Sequence, residues 1–138
     1  MELFSPLYYS GMDVLRLAFA AMVAILFLQS SLDKLFNWKS EKEFLTGHFA
    51  KSILKNSVPM MLPVITAVEL LAGLCAALGF MELLVLGSQL LGLVGMCLGT
   101  AVIIMLFFGQ RISKDYAGAA ALIPYFLMCA AGLYVFSI

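Results

Sequence analysis

The residues that could carry chemistry are few, and several lie where charge is costly. Glu69 sits between Val68 and Leu70 inside a long apolar stretch. A carboxyl in hydrocarbon faces protein, takes up a proton or finds a partner, so an intramembrane ionisable residue is a functional-site candidate. Arg16 is the expected partner. Arg16 and Lys34 are eighteen residues apart, about five helical turns, so they share a face. Ala20, Val23, Phe27 and Ser30 lie along or near it. In the second stretch Thr66, Glu69, Gly73 and Ala76 share a face by the same spacing. The two faces are expected to meet, giving an intramembrane polar cluster of Arg16, Glu69, Gln29, Gln89 and Lys34. Three roles stay open: an ion pair that only fixes helix register, a proton or ligand site at Glu69, or an Arg16 that snorkels to the surface.

Other chemistry is thinly represented. His48 is the one histidine and falls in a polar connection, where a solvated or interfacial ring is expected rather than a catalyst. Cys75, Cys97 and Cys129 are far apart in apolar stretches and form no CxxC, so they read as buried small hydrophobes. There is no Cys/His spacing for a metal, no nucleophile motif and no phosphate loop. No catalytic constellation emerges, and an enzyme is not the favoured reading. No cofactor is predicted; a bound lipid or quinone stays open.

The elements that must position these residues follow from hydropathy. Of 138 residues, 64% are hydrophobic and 12% charged. Soluble domains are nearer half apolar and a quarter charged, so lipid must solvate much of this surface. Four stretches are long enough to span, about 12–36, 60–80, 83–108 and 116–136, since a spanning helix needs about 20 mostly apolar residues. They are too long and too continuously apolar for strands. The expected fold is all-α, a single transmembrane domain of four helices in a bundle. Pro59 and Pro63 suit a helix start, and Pro124 predicts a kink. Glu82 marks a short turn, and GQRISKD at 109–115 another. The first connection, 37–58, is long; its Phe44, Leu45, Phe49, Ile53 and Leu54 recur at near-helical spacing beside lysines. This predicts an amphipathic helix over about 41–55, lying in the interface. Gly73, Gly92, Gly95, Gly99 and Gly118 are candidate helix-packing positions, within one chain or between chains.

Charge sets the expected orientation. Lys34, Lys39, Lys42, Lys51 and Lys55 flank or occupy the first connection, and Arg111 and Lys114 the third. These share one side of a four-span bundle, so the long loop is expected in the cytoplasm and both termini outside. Residues 1–9 hold no Lys or Arg, so no cleavable signal peptide is expected. Zero net charge and the lack of a basic tract argue against nucleic acid.

Two motifs resemble a known family. The first span reads R-x(17)-K from Arg16 to Lys34 and closes on LFLQSSLDKLFNW; the second reads P-x(5)-E-L-L-x-G-L in PVITAVELLAGLCAALGF. This looks like the DoxX-like family of small four-span membrane proteins, along essentially the whole chain. The matching positions are Arg16, Lys34, Glu69 and Gly73, while Ser31 stands where the family often has glycine. The resemblance implies a bacterial inner-membrane protein linked to respiratory or redox complexes. The small size, the lack of a catalytic constellation and the small-residue helix faces lead to the expectation of a non-catalytic accessory subunit or assembly factor, with membrane lipid and other integral subunits, or further copies of itself, as partners. A quinone- or proton-handling component using Glu69 is the alternative. The cysteine-pair chemistry of related four-helix reductases is not implied, because the CxxC is missing.

Overall fold

The computed structural model describes residues 11–138; expectations for residues 1–9 lie outside them. The chain forms α1 (Gly11–Phe36), α2 (Trp38–His48), α3 (Val58–Leu86), α4 (Leu90–Ile112), α5 (Tyr116–Ala121) and α6 (Ile123–Ser137). α5 and α6 make one broken span. The four spans are 26, 29, 23 and 22 residues long and apolar enough to cross a membrane. At ~1.5 Å per residue each covers the ~30 Å hydrocarbon core. The molecule is a small integral membrane protein: an all-α bundle with a short helix in its first connection.

α3 is the central element, packed along α1 on one side and α4 on the other, while α6 closes against α4 and α1. Small residues set the approach. A Cβ on Gly79 would overlap the backbone of Gly92, and one on Gly95 would come within 2.8 Å of the Ala76 nitrogen. Gly73 admits the backbone of Leu28, and Gly99 makes room for Phe27 and Cys129. These glycines therefore join helices within one chain. Gly118 does not belong with them: a Cβ there would meet Asp115 and Gln110. It makes room for a helix cap.

Several boundaries differ from expectation. Glu82 lies inside α3, not in a turn. α3 runs on to Leu86 and ends where Gly87 takes φ 71°, the left-handed conformation glycine tolerates. Glu82 still serves the turn, because its Oε1 accepts the Leu91 N–H at 3.0 Å, one of the otherwise unbonded donors that open α4. The helix in the first connection comes earlier and is shorter than 41–55. It starts one residue after α1, at Trp38, and stops at His48, with turns over 49–57. Phe49 explains the stop: it is buried, with Gly109 of α4 beneath its ring. The fourth span breaks at Leu122, just before Pro124, the expected kink. The cysteines are free and only Cys129 is buried; Cys97 is exposed.

Candidate functional site

Helix register decides which charges meet. Leu28 packs at Gly73 and Lys34 reaches Glu69, so α1 and α3 run antiparallel. Arg16 is eighteen residues from Lys34, about 27 Å along the helix, and so lies at the opposite end of the bundle from Glu69. The expected Arg16–Glu69 pair is replaced by two separate pairs.

At the first end, Arg16 is buried and each of its three nitrogens has a partner. Nε donates to the Val135 carbonyl at 2.6 Å, Nη1 to Asp13 Oδ1 at 3.0 Å and Nη2 to the Ile138 main-chain oxygen at 3.2 Å. Arg16 therefore does not snorkel. It ties the end of α6 to the start of α1. Arg16 and Asp13 are three residues apart, which places both on one face.

At the other end Lys34 lies 3.1 Å from Oε1 of Glu69 and donates to Oε2 at 3.4 Å. The contact to Oε1 is an ion pair without hydrogen-bond alignment, so that oxygen is buried with no hydrogen bond among the described residues. Lys34 also donates to Ser30 Oγ at 2.9 Å. Helical side chains lean toward the N-terminus, so the ammonium sits about a turn further into the bundle than its own Cα. Gln29 is on an exposed face of α1, and Gln89 sits at the start of α4 without a side-chain cap bond. Neither joins Lys34 and Glu69.

Beside this pair lies a cavity of 290 Å³. Its wall is made by Phe44 and Leu45 of α2, Phe49, Leu62 and Ile65 of α3, and Leu106 of α4, with Lys34, Glu41, His48 and Gln110 as its polar members. The location has a packing reason. The seam of small residues between α3 and α4 runs from Gly79 and Gly92 to Ala76 and Gly95. Further along, Met61, Leu62 and Ile65 stand opposite Met105, Leu106 and Phe108. Bulky side chains line this level in place of the glycines, and α2 with the following turns roofs the cavity.

His48 was expected in solvent or the interface. The structure instead fastens it to the third connection. Nε2 is 2.7 Å from Gln110 Oε1, 3.1 Å from Ser113 Oγ and 3.8 Å from Asp115 Oδ2. Its ring stacks on Phe44 at 5.5 Å and meets Phe49 edge-on at 5.1 Å. Asp115 in turn caps α5, accepting the Gly118 N–H at 2.9 Å. The sequence held one signal for this group: an Asp three residues before a glycine at the start of an apolar run is an N-cap pattern. That His48 would reach it was not signalled.

Comparison with family models, with curated proteins and with solved structures finds no match. The DoxX-like resemblance rests on its sequence motifs alone.

Proposed function

We propose that this chain binds rather than transforms: an accessory component of a larger membrane assembly whose own contribution is to hold a lipophilic molecule in the cavity roofed by α2. One observation carries the reading, the 290 Å³ apolar cavity against the buried Lys34–Glu69 pair. Small-molecule sites are concave, mostly apolar and carry a few placed polar groups, and this cavity has that make-up. The accessory role is supported by the motifs shared with the DoxX-like family, and the lysine count favours α2 on the cytoplasmic side of a bacterial inner membrane. Purification of the native protein in mild detergent, with mass spectrometry of co-purifying chains and extractable lipophiles, tests both parts. Other integral chains and a stoichiometric lipophile are expected. A chain recovered alone, in one size class and with nothing extractable, overturns the proposal.

A second reading is a quinone- or proton-handling component with Glu69 as the exchanging group. It is favoured by the buried Oε1 that lacks a hydrogen bond. On that reading Glu69→Gln abolishes activity while abundance is kept. Lower abundance with unchanged activity per molecule assigns Glu69 a structural role.

A further inference from the structure

We infer that the cavity accepts the neutral, hydrogen-bonding head of a lipophilic molecule, an alcohol, phenol or ketone, with Lys34 as the donor; this rests on the reading of the cavity as a binding site. An ammonium has three N–H donors. Lys34 directs two, to Ser30 and to Glu69 Oε2, and the third makes no hydrogen bond among the described residues, because Glu69 Oε1, though 3.1 Å away, is out of alignment. Lys34 is also part of the cavity wall. A carbonyl or hydroxyl oxygen inside the cavity completes its set.

The charge of the head follows from what each alternative does to the pair. An anionic head competes with Glu69 for Lys34. Glu69 is completely buried, so drawing the lysine away strands a carboxylate that has no route to water. A cationic head meets Lys34 as a like charge and finds only Glu41 of opposite sign in the wall. His48 and Gln110 are engaged with each other, and the Gln110 amide nitrogen lies against Gly118. A neutral head leaves every one of these contacts in place.

The route and the tail follow from exposure. Val64 and Phe108 both line the cavity, yet are 47% and 59% exposed. They belong to the spans α3 and α4, so the surface they present is the one the bilayer covers. The ligand therefore arrives from lipid. The volume, 290 Å³, is at the small end of ligand sites at roughly 300–1,000 Å³. The cavity houses the head and the first part of an apolar body, and the rest stays among lipid chains.

The test uses the full chain in nanodiscs and three photoreactive probes with the same alkyl diazirine chain, ending in an alcohol, a carboxylate or a trimethylammonium. Labelled peptides are quantified by mass spectrometry. The alcohol is expected to label peptides containing Phe49, Ile65 and Leu106 about tenfold above the other two, the difference one hydrogen bond to a charged donor supports. Equal labelling by the three heads, or more by the carboxylate, overturns the ligand class and leaves the cavity as a site. Labelling no stronger there than at the lipid-facing Leu74 overturns the site itself. The double variant Lys34→Gln/Glu69→Gln keeps both side chains polar without charge and is expected to lose the alcohol preference. If it keeps that preference while eluting as the parent protein does, Lys34 is not the donor. If it does not fold, the three-probe comparison on the parent chain still decides the ligand class.

Discussion

The two ends of the bundle each bury a basic residue beside an acidic one, and they use the pair differently. Arg16 is tied down: Val135, Asp13 and Ile138 each bond one of its three nitrogens, in a region where helices touch through Gly79, Gly92 and Gly95. Lys34 and Glu69 are left incomplete. One N–H and one carboxylate oxygen make no hydrogen bond among the described residues, although Lys34 and that oxygen are 3.1 Å apart, and a cavity lies alongside. A buried ion pair is therefore a weak guide to function by itself. What separates an anchor from a site here is whether space adjoins it: the cavity is lined by Lys34 and not by Arg16.

The largest expected effect tests this contrast directly. Lys34→Met leaves a carboxylate buried and alone, and should destabilise by ~3–5 kcal/mol. Arg16→Met should cost clearly less, because the Asp13 side chain is 12% exposed and that of Glu69 0%. Thermal unfolding of both variants in one detergent checks the order; equal losses break the comparison. The double variant Lys34→Met/Glu69→Met should regain most of the loss, since two apolar side chains can replace a buried pair at little cost.

Packing supplies the next effect. Gly79→Ala drives a methyl into the Gly92 backbone, and overpacking of this kind costs ~1–3 kcal/mol. The corresponding change at the cavity end, Gly109→Ala, places its Cβ 3.4 Å from the Phe49 ring, an ordinary contact. It should stay within ~0.5 kcal/mol of the parent. A Gly109→Ala variant that melts as early as Gly79→Ala would show the cavity end to be as tightly packed as the other.

The smallest expected loss concerns the roof. Asp115→Ala removes the α5 cap and one neighbour of His48, a loss of ~1 kcal/mol. Hydrogen exchange should quicken over 116–121 and around His48, with the turn at 87–89 unchanged. Quickening spread evenly over the chain would show that the two ends do not respond separately.

Much of the architecture was determined by the sequence alone. Four apolar stretches of spanning length admit only helices, because lipid offers the backbone no hydrogen bonds. The periodicity of α1 correctly placed Ala20, Val23 and Phe27 in the core, and that of α3 placed Thr66, Glu69, Gly73 and Ala76 there. Spacing along one helix says which residues share a face, but not which level of the neighbouring helix they stand against. That level, seen in the Leu28–Gly73 contact, fixes Lys34, and not Arg16, beside Glu69. The sequence also obscured the end of α3, since Glu82 read as a turn while the chain turns at 87–89. The cavity was hidden for a related reason. It exists because large side chains of α3 and α4 face each other at one height and Phe49 folds back over Gly109, contacts between residues far apart in the chain that only tertiary packing brings together.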